Sequence, residues 1–145
     1  MDLGSIFESF SLFSTANGLG DHLAGYGINC DYTGADIYRT ITYFTVGINL
    51  FIVLNYYYGL FNLVKLSKLW VWLVNLIGSA LITGFIAYGY AAQALPDGEH
   101  CKNLNFSAAD CTGFGLTTAS LSSIVFIILS IILKWGSSHQ SKVPF

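Results

Sequence analysis

Long apolar stretches dominate the pattern of hydrophobic and polar positions along the chain. Three of them contain no charged side chain and no histidine, and they cover residues 40–64, 69–96 and 112–133. A helix needs about 20 apolar residues to cross the hydrocarbon core of a bilayer, because each residue adds about 1.5 Å along its axis. Each stretch is long enough to do so. The pattern therefore predicts three transmembrane helices, at roughly 37–63, 69–95 and 114–134.

The composition agrees with a membrane protein of a single transmembrane unit. The chain has 145 residues, of which 54% are hydrophobic and 10% are charged. Soluble domains carry about 25% charged residues, so this chain has too little polar surface to cover three apolar helices in water. Six Lys and Arg residues are too few for a nucleic-acid-binding surface. We therefore expect an all-α integral membrane protein that contacts the lipid bilayer and binds no nucleic acid.

The basic residues divide unevenly between the two ends of the predicted helices. One side carries no acid and holds four lysines, Lys65, Lys68, Lys134 and Lys142. The other side carries all eight acids but only Arg39 and Lys102 as bases. Because Lys and Arg in short loops favour the cytoplasmic side, the pattern predicts an N-out, C-in topology. We expect a plasma or inner membrane, with an organellar membrane as the alternative.

The segment before the first predicted span, residues 1–35, has a different pattern. Its apolar side chains recur every three or four residues, which is the spacing of one helical face; they are Leu3, Ile6, Phe7, Phe10 and Phe13. Asn17 and Gly18 are expected to end this helix, and further glycines follow as a flexible connector. The pattern predicts an extracytoplasmic amphipathic helix that packs on the bundle, on neutral lipid or on another subunit. A Gly-rich arm joins it to a three-helix transmembrane domain over 36–145.

All three cysteines fall on the predicted outer side, which suits an oxidising compartment. A bridge between Cys101 and Cys111 would span the outer loop 96–112 and stabilise the fold by about 2–4 kcal/mol. Pairing of Cys30 with either cysteine is the alternative. Asn105 opens an Asn-Phe-Ser pattern, which is a glycosylation acceptor in a eukaryotic secretory membrane. The acidic outer loop lacks the paired His or Cys spacing of a metal site.

Catalytic and cofactor patterns do not occur in the sequence. The three charge-free stretches hold no Asp, Glu, Lys, Arg or His that could carry a proton, and the histidines lie outside them, at positions 22, 100 and 139. A haem held by two histidines within the membrane is therefore not expected. The nucleophile and metalloprotease motifs of known hydrolases do not occur either. We expect no enzymatic activity, no cofactor and no metal.

Small residues recur every three or four positions in the second and third predicted helices. Such a stripe lets two helix backbones approach closely, and packing then drives their association in lipid. The stripe consists of Ala80, Gly84, Ala87 and Ala91 in the second helix and of Gly115, Ala119 and Ser122 in the third. Because a short loop joins these two helices, the pattern predicts a close antiparallel hairpin.

Polar side chains inside the apolar stretches give the strongest functional signal. Thr42, Thr45 and Asn49 share one face of the first helix, and two further amides lie at Asn55 and Asn75. Amides that face lipid are costly, so these side chains should face protein or water. Two functions fit. The first is a non-catalytic multi-pass subunit or anchor of a larger membrane assembly, which binds other subunits. The alternative is a small homo-oligomeric channel, lined by the polar face of the first helix.

Overall fold

A computed structural model of the chain is all-helical, and no strand occurs among the residues that it describes. Those residues are 3–10, 12, 17–27, 29–58, 69–93, 95 and 104–134. Two short helices, α1 (Leu3–Ser9) and α2 (Leu19–Leu23), precede three long ones. The long helices are α3 (Ile37–Tyr58), α4 (Leu69–Ala92) and α5 (Ala108–Lys134).

All three long helices are long and apolar enough to cross a membrane. The prediction of an all-helical protein with three such helices is therefore confirmed. The first long helix is described as far as Tyr58, and the predicted end at 63 lies within residues 59–68, which are outside the described part of the chain.

The third long helix begins at Ala108, earlier than the sequence pattern predicts. Its start is fixed by Ser107, whose backbone N–H donates to Asp110 Oδ2 at 2.8 Å and whose hydroxyl donates to the same oxygen at 2.9 Å. The Asp110 carboxylate thus accepts the backbone N–H of the residue that precedes the helix, and it holds the chain in place where the first turn begins. Hydropathy marks where a helix enters the bilayer, so it cannot show the polar turns that precede that point.

The three long helices pack as a bundle around two apolar clusters. The helices α4 and α5 have the closest contact, and α3 lies against both of them. One cluster lies at the end near the start of α3 and includes Tyr38, Ile41, Ala87, Ala91 and Phe114. The other lies at the opposite end and consists of Val53, Tyr56, Tyr57, Trp72 and Phe126. The stretch between the two clusters is filled by polar side chains.

Phe7, Leu19 and Leu23 of the N-terminal segment are buried in the apolar cluster near the start of α3. In α1, Phe7 is buried against Tyr38 and Phe114, with ring centroids 5.4 and 5.6 Å apart, whereas Phe10 is exposed. The helix ends at Ser9, and Phe13 of the predicted apolar face lies outside the described residues. Gly18 has the left-handed backbone that its sequence context predicts, with φ of 79°, but it precedes α2 rather than ending α1.

The glycine-rich connector is folded into a compact loop by a close backbone contact. The Gly34 N–H donates to the Gly25 carbonyl at 2.9 Å. A Cβ atom on Gly25 would lie 2.7 Å from the Gly34 oxygen, so only glycine fits there. The Tyr32 hydroxyl donates to Asp21 Oδ1 at 3.2 Å, and this hydrogen bond raises the pKa of Tyr32 above its usual value. The glycines thus shape a loop, where the sequence suggested a flexible linker.

Candidate functional site

Buried polar side chains form a layer at mid-height of the bundle, between the two apolar clusters. All three long helices contribute to this polar layer on their inner faces. Its members are Thr45 and Asn49 of α3, Ser79 and Thr83 of α4, and Thr117, Thr118 and Ser122 of α5. None of these side chains is ionisable in the physiological range, so the layer cannot hold a proton or a net charge.

Asn49 is the central residue of the polar layer, with an exposed fraction of 0%. Its Nδ2 donates to Ser122 Oγ at 2.8 Å and to the Thr45 carbonyl at 2.7 Å. The first bond joins α3 to α5, so it fixes the rotation of one helix against the other. Asn49 Oδ1 and Thr45 Oγ1 are buried and have no hydrogen-bond partner among the described residues. An unpaired buried polar atom costs about 1–3 kcal/mol.

The hydroxyls of Thr83, Thr117 and Thr118 donate within their own helices, and Thr117 Oγ1 also accepts the Leu12 backbone N–H at 3.0 Å. Thr83 donates to the Ser79 carbonyl at 2.9 Å, and Thr117 and Thr118 donate at the same distance to carbonyls one turn earlier in α5. Such bonds satisfy a hydroxyl inside a helix without a partner on another helix. In the part of the chain that the structure describes, no group of three His, Cys, Asp or Glu could hold a metal ion.

A second polar junction lies at the far end of the bundle, at Ser130 of α5. Trp72 Nε1 of α4 lies 3.3 Å from Ser130 Oγ, to which it donates, and Tyr57 of α3 also hydrogen-bonds to Ser130. The Tyr58 hydroxyl donates to the Leu133 carbonyl at 2.9 Å. Ser130 is not among the residues predicted from the sequence to be functional. Its spacing of eight residues from Ser122 places both on one face of α5, and that signal could have found it.

The small residues bring α4 and α5 into backbone contact. A Cβ atom added to Gly84 would lie 3.0 Å from the Gly115 oxygen and 3.2 Å from the Ala119 Cβ. A Cβ atom added to Gly115 would lie 2.9 Å from the Gly84 oxygen. Ala87 and Ala91 are fully buried, and Ala80 and Ala119 are half-buried. The two helices therefore touch where the residue stripe places its glycines.

The structure separates the polar residues of the first and second helices into two groups. Thr45 and Asn49 meet Ser122 inside the bundle, as described above. Thr42, Asn55 and Asn75 are half-buried outside the polar layer. Each donates to a carbonyl one turn earlier in its own helix at 2.8 Å. The outward parts of Asn55 and Asn75 are therefore available to a neighbour in the membrane, whereas Thr42 lines a cavity with Ile6 and Phe7 of α1.

The cysteine nearest the third long helix is not in a disulfide. Cys111 has a free thiol that is buried in the apolar cluster beside Phe114. The bridge between Cys101 and Cys111 that the sequence favoured is therefore not formed, because Cys111 belongs to the helix and faces the core. Cys101 lies outside the described residues. Asn105 is exposed, and its backbone N–H donates to the Asn17 carbonyl at 3.1 Å.

Comparison with known proteins gives no relative from which a function could be transferred. No protein family, no curated protein and no solved structure matches this chain. The geometry of the helix bundle is therefore the basis of the functional proposal.

Proposed function

We propose that the chain is a non-catalytic, multi-pass subunit or anchor of a larger membrane protein assembly. The observation that carries this proposal is the pair of half-exposed amides, Asn55 on α3 and Asn75 on α4. Each amide donates to its own helix, which leaves its oxygen with acceptor capacity. A helix of another subunit would cover these amides more favourably than lipid, which offers no hydrogen-bond donor.

Burial of the polar layer weighs against the alternative of a homo-oligomeric pore. A pore lined by the polar face of α3 would need that face at a surface shared between copies, in contact with water. Thr45 has an exposed fraction of 5% and Asn49 of 0%, because α5 of the same chain covers them. Thr45 and Asn49 thus serve the fold of one chain.

The subunit proposal is tested by changing an outward amide. Asn75→Leu should weaken association with a membrane partner by about 1–2 kcal/mol at most, which is about 5-fold to 30-fold. Co-purification of the tagged full chain with its partner measures this loss. Val74→Leu is the matched control, because Val74 is exposed and apolar on the same turn. Equal recovery of the partner with both variants contradicts the assignment of Asn75 to an interface.

We further propose the N-out, C-in orientation, in a plasma or inner membrane. The support is the excess of lysines on the side that follows α3 and α5, as the sequence shows. Single cysteines placed at Ser5 and Ser138 of an otherwise cysteine-free chain test it with a membrane-impermeant thiol reagent. Ser5→Cys should label from outside intact cells and Ser138→Cys should not. The reverse pattern refutes the orientation.

We also infer that Cys30, rather than Cys111, pairs with Cys101. Cys111 is buried and free, whereas Cys30 lies on the exposed surface of the connector. Pairing removes two protons and two electrons, which pass to an oxidised dithiol of the outer compartment. Non-reduced Cys111→Ser should migrate like the wild type on a gel, and Cys30→Ser should migrate like the reduced chain. Identical migration of reduced and non-reduced wild type contradicts the pairing.

A further inference from the structure

One strongly basic side chain lies at the membrane boundary near the start of α3. Arg39 is exposed, and its Nε donates to the Tyr43 hydroxyl at 3.2 Å while its guanidinium carbon lies 5.8 Å from the centre of the Tyr43 ring. The neighbouring Asp36 does not pair with the guanidinium; its Oδ1 accepts the Arg39 backbone N–H at 3.0 Å. Both terminal amino groups of Arg39 therefore have no hydrogen-bond partner among the described residues.

An apolar groove between α3 and α4 is lined at one end by Tyr43, the residue that Arg39 contacts. It has a volume of about 690 Å³, and it is lined by Tyr43, Phe44, Gly47, Phe51 and Ile82 among others. Gly47 forms its floor, since a Cβ atom there would meet nothing within 4 Å. The rings of Tyr43 and Phe51 border it, with exposed fractions of 65% and 69%.

The groove is nearly as long as the hydrocarbon part of one leaflet is thick. Tyr43 and Phe51 are eight residues apart, or about 12 Å along a helix axis. Half of the hydrocarbon core measures about 15 Å. Tyr43 stands at the end of the groove where aromatic rings with a polar tip favour the headgroup level. A chain that enters beside Arg39 would therefore remain in the groove for most of one leaflet.

We propose that Arg39 and this groove bind one membrane phospholipid. The planar guanidinium, with two amino groups not bonded to the protein, matches two oxygens of a phosphodiester. One acyl chain would lie over Gly47 and cover Phe44 and Phe51. A second helix fits less well, because helices in lipid approach through small residues on both partners, whereas this groove has large rings around a single glycine. The site is independent of the proposed subunit function.

Native mass spectrometry of the purified full chain tests the site with three probes. They are phosphatidylglycerol, a diacylglycerol with the same chains but no phosphate, and glycerol phosphate without chains. We expect the wild type to retain one phosphatidylglycerol and neither of the other two. Arg39→Gln should lower retention at least about 10-fold, because it removes charge-assisted hydrogen bonds. Arg39→Lys should retain an intermediate amount of phosphatidylglycerol, because an ammonium group keeps the charge but cannot donate two parallel hydrogen bonds to a phosphate.

Filling the groove tests the part that holds the acyl chain. Gly47→Leu should lower retention of phosphatidylglycerol, and Gly78→Leu is the control because a side chain at Gly78 also meets nothing within 4 Å. Both variants should unfold at the wild-type temperature. Equal retention by the wild type and Arg39→Gln, or by Gly47→Leu and Gly78→Leu, overturns the proposal. Retention of diacylglycerol or of glycerol phosphate to the same extent as phosphatidylglycerol also overturns it.

Discussion

The contact between Gly84 and Gly115 predicts that Gly→Ala substitutions in one helix change the free energy of unfolding in different directions. Gly84→Ala would place a Cβ atom 3.0 Å from the Gly115 oxygen and 3.2 Å from the Ala119 Cβ. The first of these is backbone, which cannot move aside without shifting α4 against α5. Overpacking of this kind lowers the free energy of unfolding by about 1–3 kcal/mol. The higher helix propensity of alanine raises it by up to about 1 kcal/mol. With the full gain, we expect a net loss of up to about 2 kcal/mol.

Two other glycines of α4 provide matched controls in the same helix. A Cβ atom at Gly78 or at Gly89 meets no atom within 4 Å. Alanine there gains helix propensity without a clash, so Gly78→Ala and Gly89→Ala should be neutral or more stable by up to about 1 kcal/mol. Gly115→Ala should resemble Gly84→Ala, because its Cβ atom would lie 2.9 Å from the Gly84 oxygen.

The assay is reversible unfolding in mixed micelles, with the sodium dodecyl sulfate fraction as the denaturant and tryptophan fluorescence as the signal. The free energy of unfolding of each variant is compared with that of the wild type under one protocol. Stabilities of Gly84→Ala and Gly115→Ala equal to that of Gly78→Ala would refute the close contact. That result would mean that α4 and α5 do not touch through their backbones.

Three further predictions concern the polar layer, the buried thiol and the connector. Asn49→Leu and Ser122→Ala should be less destabilising together than the sum of the two, with a coupling energy of about 0.6 kcal/mol in the same micelle assay; additive effects would contradict the hydrogen bond between them. The thiol of Cys111 should resist a bulky thiol reagent until the chain unfolds, and rapid labelling of the native protein would show that it is not in the core. Tyr32 should titrate at a higher pH than a free tyrosine, so its bond to Asp21 stabilises the loop below the ordinary tyrosine pKa and is lost as pH rises through the raised value; carbon NMR of the Tyr32 ring should show that Asp21→Asn removes this shift, and an unchanged titration would argue against the bond.

The apolar stretches predict the spanning helices because each helix must satisfy its own backbone in lipid. The stripe of small residues predicts the α4–α5 contact for a different reason. Small side chains let two helix backbones approach closely, and the stripe contains Gly84 and Gly115. The start of α5 could not be predicted in this way. Ser107 and Asp110 cap it in a polar stretch, where hydropathy carries no information about helix ends.

The sequence could predict that Asn49 is buried against protein or water, but it could not predict which residue Asn49 bonds to. A mid-membrane amide must face protein or water, and Asn49 does face protein. Its partner Ser122 could be recognised only as a small residue, because sequence spacing does not show how α3 is rotated against α5. The environment of Cys111 depended on where α5 starts. Because α5 begins before Cys111, this thiol lies in the core and not in a loop.

The central claim is that the chain works as a subunit of a larger assembly. Its most direct test is the native mass of the particle that contains the tagged chain, extracted from its own membrane into lipid discs without detergent. We predict a particle that contains a second, different membrane protein in fixed proportion to this chain. A particle whose protein mass is one or more multiples of 15.8 kDa, with no other protein, would contradict the claim.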